Sequence, residues 1–185
     1  MEDMKKSTKQ SKVVLPILLS ALMVLIVCGG VLFFVKTQNI EQVGVDKAKA
    51  LADQITLLRT FYTKEVVSRA KRNKIRVNYD WNEDEVTLPL PATFTNEVGE
   101  RIAKANPGTS IRLYSRYPFP HRKPTETYDQ FELDALEQLE RDPQSPFYRF
   151  ETISNRLSVR YAIADVMRPA CVGCHNNHPE TPKTG

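Results

Sequence analysis

The chain has 185 residues, of which 41% are hydrophobic and 26% are charged, and its formal net charge is +4. This composition excludes a collagen-like or low-complexity chain and full-length disorder. Residues 36–185 carry 22 basic and 20 acidic side chains, and this balance excludes a dedicated nucleic-acid binder, which has a dense basic face. Three cysteines leave at least one unpaired, so the fold depends on a hydrophobic core rather than on a disulfide framework.

Residues 13–35 form an uncharged run of 23 residues, which is long enough to cross a hydrocarbon core about 30 Å thick. A cleaved signal peptide has a shorter apolar stretch, of about 7–15 residues, followed by small residues at the cleavage site. This run instead ends in bulky residues, and Val27 precedes Cys28 where a lipoprotein would have a small residue. The sequence therefore predicts an uncleaved transmembrane helix at 13–35, with Cys28 as a small hydrophobic residue inside it.

The charges that flank this run predict its orientation. Four lysines lie within residues 1–12, whereas Lys36 is the only basic residue among the ten that follow residue 35. Basic residues accumulate on the cytoplasmic side of a membrane span. We therefore expect residues 1–12 to be a cytoplasmic tail of a single-pass protein of the cytoplasmic membrane, and residues 36–185 to form a domain in the periplasm.

After the membrane segment, residues 39–73 predict one long amphipathic helix. Its apolar positions recur at helical spacing and lie on one face: Leu51, Ile55, Leu58, Tyr62, Val66 and Ala70. A Pro-rich break at 88–91 follows, and residues 92–105 predict a second helix, which ends at Asn106-Pro107-Gly108.

The remaining pattern alternates between short strands and one helix. Residues 111–115 predict a short strand, and residues 115–124 a Pro-rich loop. A further helix includes Phe131, Ala135, Leu136 and Leu139 and ends before Asp142-Pro143. Residues 147–153 and 157–164 predict two strands joined by a turn at Ser154-Asn155. Helices followed by an antiparallel hairpin indicate an α+β domain.

The most informative motif is Cys171-Val172-Gly173-Cys174-His175. C-x-x-C-H is the attachment signature of c-type haem. In such sites the two thiols add to the two porphyrin vinyl groups as thioethers, and the adjacent imidazole becomes the proximal ligand of the iron. Attachment of this kind occurs outside the cytoplasm, which agrees with the compartment that the membrane segment predicts. The motif therefore predicts one covalent haem c, bound by Cys171, Cys174 and His175.

Two alternatives use the same residues. Cys171, Cys174, His175 and His178 are four plausible zinc ligands of a structural domain, although adjacent Cys174 and His175 depart from the usual looped spacing. Cys171 and Cys174 could instead form a redox dithiol or a disulfide, but no thioredoxin-like βαβ pattern surrounds them.

Three stretches carry a resemblance to a known family: YSRYPFPHR at 114–122, YAIADVM at 161–167 and CVGCHNNHPETPKT at 171–184. The chain resembles, over about residues 40–184, an extracytoplasmic haem-c sensor domain that was long filed as a domain of unknown function. Members occur alone in cyanobacteria and as N-terminal input modules of bacterial adenylate cyclases, histidine kinases and chemoreceptors. The resemblance implies a PAS-like fold, a haem c on Cys171, Cys174 and His175, and dimerisation through the long helix.

The chain departs from that family at its end. Family members continue past the His-Pro motif with a Trp-containing terminal strand, whereas this sequence stops at Gly185, so we expect a strand of the sheet to be missing. The sixth ligand of the iron is open on sequence grounds. His178 lies too close to His175 to reach the opposite face of the iron. His121, in a Pro-rich surface loop, and Met167, four residues before Cys171, have ordinary structural explanations. The resemblance implies that Tyr62, or a neighbour on the long helix, is also a candidate.

These features together predict a membrane-anchored periplasmic haem-c protein that senses redox state or a diatomic gas. A single-haem electron-transfer cytochrome, with a redox partner and no gas binding, is the alternative. The sequence shows no Ser-His-Asp order, phosphate loop or paired-carboxylate motif, so we do not expect an enzyme. The expected partners are therefore the membrane, a diatomic gas or redox partner and, as the resemblance implies, a second copy of the chain.

Overall fold

The computed structural model describes residues 2–122 and 127–176, apart from the side chains of residues 2–14, 170, 173 and 174. The chain divides into two compact units, Met1–Asp46 and Lys47–Gly185. The architecture is mixed α/β, with a long N-terminal helix and small two-stranded sheets.

Helix α1 (Glu2–Phe61) contains the apolar run. Among the described residues, one helical stretch, Leu15–Arg72, is long and apolar enough to cross a membrane by length and composition, with a mean hydropathy of 2.8 in its apolar window. The large apolar side chains of this window are exposed in the structure, Leu32 by 70% and Phe33 by 74%. A water-soluble surface rarely shows so long an apolar stretch, so these side chains need an apolar environment.

The predicted long helix is confirmed, but it is not a single α-helix, and two positions of its predicted apolar face, Leu58 and Val66, are exposed. A π-helical turn (Tyr62–Val67) follows α1, and α2 (Ser68–Arg72) continues the chain. The wider turn buries Tyr62, which stacks on Phe94 with ring centroids 4.1 Å apart and donates a hydrogen bond to the Pro89 carbonyl oxygen at 2.8 Å. Insertions of this type recur at functional sites and have no simple sequence signature.

Two short strands and a helix follow. Strand β1 (Val77–Asn78) pairs in parallel with β2 (Leu88–Pro89), a pairing that the sequence pattern does not predict. Helix α3 (Pro91–Ala105) confirms the predicted second helix and begins with a proline, whose fixed φ suits the first helical turn.

The predicted strand at 111–115 is wrong: in the structure this segment has no ladder partner among the described residues. It lies against α3 instead. The Leu113 backbone N–H donates to the Asn96 side-chain oxygen at 3.0 Å. Gly99 allows this approach, because a Cβ at that position would lie 2.5 Å from the Ile111 carbonyl oxygen.

The predicted helix and hairpin at 130–164 are confirmed. Helix α4 (Gln130–Arg141) begins with a capping box, in which Asp129 and Glu132 each accept from the other's backbone N–H. Strands β3 (Phe147–Ile153) and β4 (Arg156–Ala162) are antiparallel, and β4 ends two residues earlier than predicted. Ser154 and Asn155 have φ of +49° and +64°, as a two-residue hairpin turn requires.

The hairpin packs on α4 through both apolar and charged contacts. Phe131 is 5% exposed and lies 5.2 Å, between ring centroids, from Phe147. The Arg160 guanidinium lies 4.2 Å from the Phe131 ring centre and pairs with Asp129 at 2.6 Å. Arg149 pairs with Asp134 at 2.6 Å. The β3–β4 face towards α4 therefore combines aromatic packing with ion pairs.

The end of β4 lies near the part of α1 that belongs to the same unit. Burial raises the pKa of Tyr161, and the charges of Lys49 and Asp53 modulate that shift in opposite directions. The segment that follows β4 then leads into the last helix of the described chain, α5 (Pro169–His175).

Candidate functional site

Helix α5 contains the whole C-x-x-C-H motif. Pro169 occupies its first turn, and the Arg168 carbonyl oxygen accepts hydrogen bonds from the backbone N–H groups of Cys171 (2.8 Å) and Val172 (3.1 Å). Residues four apart in a helix lie on the same side of it, so Cys171 and His175 are neighbours on one side of α5. Both are half-buried, and the Cys171 thiol is free. Cys174 belongs to α5 by its backbone, and its side chain lies outside the described residues, as does all of His178.

The Pro-rich loop contacts the motif. The Phe119 ring meets the His175 imidazole edge-on, with ring centroids 5.2 Å apart. His121, from the same loop, lies 5.9 Å from Phe119 and stacks on Tyr79 at 4.1 Å. The structure therefore brings His121 into the surroundings of His175, which its position in a Pro-rich loop did not indicate.

A charged triad lies at the start of α5. The Asp165 carboxylate bridges two arginines: one oxygen pairs with Arg59 of α1, and the other lies 3.2 Å from Arg168, the residue that caps α5. The side chains are 17% exposed for Arg59, 18% for Asp165 and 30% for Arg168. We call Arg59, Asp165 and Arg168 the charged triad.

The electrostatics of Arg59 place it close to the motif. Burial lowers the pKa of the Arg59 guanidinium, the interaction with Cys171 opposes this shift, and the neighbouring Arg168 adds to it. A half-buried cation thus interacts with the first cysteine of the motif. Its carboxylate partner, Asp165, offsets part of the cost of its burial.

Comparison with known proteins gives a family. A family model described as Tll0287-like matches residues 37–185. The chain belongs to the Tll0287-like family. No curated protein and no solved structure matches it.

Other residues considered for this Tll0287-like site lie elsewhere or have other partners. The Tyr62 hydroxyl is bonded to the Pro89 carbonyl oxygen, and Met167 is 49% exposed. Arg116 and Arg160, which could bind anionic groups, pair with Glu140 at 2.8 Å and with Asp129 at 2.6 Å. These contacts give Tyr62, Arg116 and Arg160 structural roles, whereas the Met167 side chain is about half exposed.

The zinc alternative stays a prediction. Among the described side chains, no group of three or more His, Cys, Asp or Glu residues is placed to hold a metal ion. Two of the four proposed ligands, Cys174 and His178, lie outside that description.

A cavity in the described part of the chain lies away from the motif. It has a volume of about 550 Å³, is open to solvent and lies beside the π-helical turn and α2, where Phe61, Val66, Ala70, Ile75 and Leu88 contribute to its lining. Its lining includes no residue of α5, so the chemistry of the motif, rather than cavity size, identifies the candidate site.

Sequence reasoning missed the charged triad and Phe119. Asp165 interrupts an apolar stretch, YAIADVM, and this is the one local sign that a charge there needs a partner. Arg59 is 106 positions away and lies on the polar flank of an amphipathic helix, so no local pattern pairs the two.

Proposed function

We propose that this protein is a membrane-anchored sensor domain that carries one covalent haem c and has no catalytic activity of its own. The observation that carries this proposal is the helical C-x-x-C-H motif with Cys171 and His175 on one side of α5 and Phe119 against the imidazole. Membership of the Tll0287-like family supports it, because the family model matches residues 37–185, the part of the chain that resembles the haem-c sensor domain.

The donor set fits a c-type haem. A free thiol at Cys171 and an imidazole at His175 are the groups that attachment and axial ligation require. When bound, the haem supplies an iron that changes oxidation state and can take a diatomic ligand. The chain's own residues would anchor and orient it: Cys171 and Cys174 would hold the macrocycle and His175 would ligate the iron, and the contact with Phe119 restricts the rotation of the His175 ring.

The proposal also covers the fold of the domain and its cellular location. We infer that residues 36–185 form a PAS-like domain in the periplasm, with residues 13–35 as the membrane anchor and residues 1–12 in the cytoplasm. The exposed apolar surface of the window supports the anchor, and the lysines of residues 1–12 support the orientation. The half-buried pairing of Arg59 with Asp165 favours a sensor over a simple electron carrier, because it links the motif to helix α1.

The first test is covalent attachment. The full chain is produced in a host that matures c-type cytochromes, and the purified protein is run on a denaturing gel and stained for haem. We expect staining of wild type, and its complete loss in Cys171→Ala combined with Cys174→Ala. Cys28→Ala is the matched control, because it removes the third cysteine from the predicted membrane segment and leaves the motif intact. Colourless wild-type protein, or pigment released by acidified organic solvent, would contradict the proposal.

The second test separates a sensor from a carrier. Absorbance spectra of the reduced protein are recorded with and without carbon monoxide, and hydrogen exchange of α1 is compared between the ferric, ferrous and CO-bound forms. A sensor shows a change of exchange near Arg59 between at least two of these forms. An unchanged six-coordinate spectrum together with identical exchange in α1 would favour the electron-transfer cytochrome.

A further inference from the structure

The charged triad forms a continuous set of contacts from α1 to α5. Arg59 belongs to α1 and lies three residues before the π-helical turn. Its partner Asp165 also holds Arg168, whose carbonyl oxygen accepts the first hydrogen bonds of α5. Any movement of α5 at its start therefore acts on the side-chain geometry of Arg59, and movement of α1 acts on α5.

The triad also carries a net positive charge. Two guanidinium groups share one carboxylate, so the three side chains have a net charge of +1 in a half-buried position. Charges in such positions interact more strongly than charges in water, because the local dielectric is lower. The triad lies at the start of α5, because Arg168 is the N-cap residue of that helix and precedes Cys171, the first residue of the attachment motif, by three positions.

We propose that the charged triad sets the reduction equilibrium of the haem on α5 and transmits its oxidation state to α1. The proposal rests on the proposed function and adds to it the residues that carry the coupling. A cation beside the motif favours the form of the site with less positive charge, which for a haem is the ferrous form. Reduction takes one electron from a soluble one-electron donor, which is oxidised in turn.

Coupling of this kind is reciprocal. If the packing of the triad changes the free energy of reduction, then reduction must change the free energy of the triad's packing by the same amount. Arg59 and Asp165 are thus positioning residues with opposite charges, and their removal must shift the equilibrium in opposite directions. A residue that only supports the fold has no reason to show this difference in sign.

The test is a potentiometric titration of the purified, folded protein that carries covalent haem. Arg59→Met removes a positive charge and leaves Asp165 paired with Arg168, so we expect about a tenfold loss in the equilibrium constant of reduction, or about 59 mV for one electron. Asp165→Asn keeps the shape of the side chain and leaves both arginines without their carboxylate, so we expect a gain of similar size. Arg149→Met, which removes an arginine paired with Asp134 in another part of the domain, should leave the potential unchanged.

A second measurement tests the reciprocal effect, that of the haem oxidation state on the packing of the triad. Hydrogen exchange around residues 59–61 and 165–168 should differ between the ferric and ferrous wild type, and this difference should disappear in Asp165→Asn. If Arg59→Met fails to fold, Arg168→Met removes the same charge from the other side of Asp165 and should also lower the potential.

The outcomes separate this proposal from the previous one. Wild-type protein without covalent haem overturns the proposed function. If the protein carries covalent haem but Arg59→Met and Asp165→Asn shift its potential in the same direction, the role of the triad is overturned and the proposed function stands. The same holds if their shifts are no larger than that of Arg149→Met. Opposite shifts with loss of the redox-dependent exchange support it.

Discussion

Two regions of the folded unit are held together in different ways. Helix α4 and the β3–β4 hairpin have a capping box, a buried aromatic pair and cation–aromatic contacts. In the part of the chain that the structure describes, helix α5 has seven residues, no side-chain cap, an aromatic contact from Phe119 to His175 and the charged triad. The first region buries apolar groups on its own, whereas the described contacts of the second are mainly charged and half-buried.

This difference assigns separate roles to the two regions. A helix of seven residues is too short to be stable by itself, so α5 depends on its tertiary contacts. Stability is not uniform across a domain, and regions with few buried apolar contacts open locally at lower free energy. The α4–hairpin region is therefore the scaffold, and α5 is the part whose packing can respond to what the motif binds.

The comparison predicts its largest effect at Phe131. The change Phe131→Ala removes a ring that is 5% exposed between Phe147 and Arg160, and large-to-small changes of this kind cost about 3–5 kcal/mol. Chemical unfolding followed by circular dichroism measures the loss. Leu133→Ala is the matched control, because Leu133 belongs to the same helix and is 41% exposed. An equal loss in the two variants would contradict the role of α4 as scaffold.

Part of this scaffold could be predicted from the sequence. Alternating apolar residues around Ser154-Asn155 define the hairpin, and turn residues define the ends of α3 and α4. The strand predicted at 111–115 fails because strand-forming residues also need a partner strand, and the Asn96 side chain meets one of the backbone groups there instead. Strand propensity measures how well a residue fits into a pleated sheet, and it does not by itself provide a partner strand.

The candidate site also has a part that the sequence predicts and a part that it does not. The attachment motif can be predicted from the sequence because its chemistry requires a fixed spacing within five residues. The charged triad cannot be predicted from the sequence, because its members come from two segments that only the tertiary fold brings together. The π-helical turn has no local sequence signal either: it depends on where Tyr62 finds its hydrogen bond and its stacking partner.

A second, smaller effect tests the connection between scaffold and site. The change Gly99→Ala places a Cβ 2.5 Å from the Ile111 carbonyl oxygen, and overpacking against backbone costs about 1–3 kcal/mol. Residue 111 precedes the loop that carries Phe119, so we also expect weaker protection of α5 in hydrogen exchange. Gly29→Ala is the control, since nothing lies within 4 Å of a Cβ there. Full stability in Gly99→Ala would show that the segment moves away without cost.

The smallest effect concerns acid stability of the scaffold. The hydrogen bond from Arg160, assisted by the backbone N–H groups at the start of α4, holds the pKa of Asp129 below its ordinary value of 3.8, and its burial opposes this only in part. A carboxylate with a depressed pKa contributes stability above the ordinary value, and this contribution is lost as the pH falls through the depressed one. Asp129→Ala should cost about 0.5–2 kcal/mol at neutral pH, as expected for a lost helix cap.

Asp129→Asn separates the charge from the cap, because the amide oxygen can still accept from the Glu132 backbone N–H. Its stability deficit at neutral pH should shrink as the pH falls from 3.8 through the depressed pKa of folded Asp129, at which the wild-type side chain also becomes neutral. Urea unfolding between pH 7 and pH 3 measures this difference. A deficit that stays constant over that range would mean that the charge of Asp129, and with it the ion pair to Arg160, adds nothing to the stability of the scaffold.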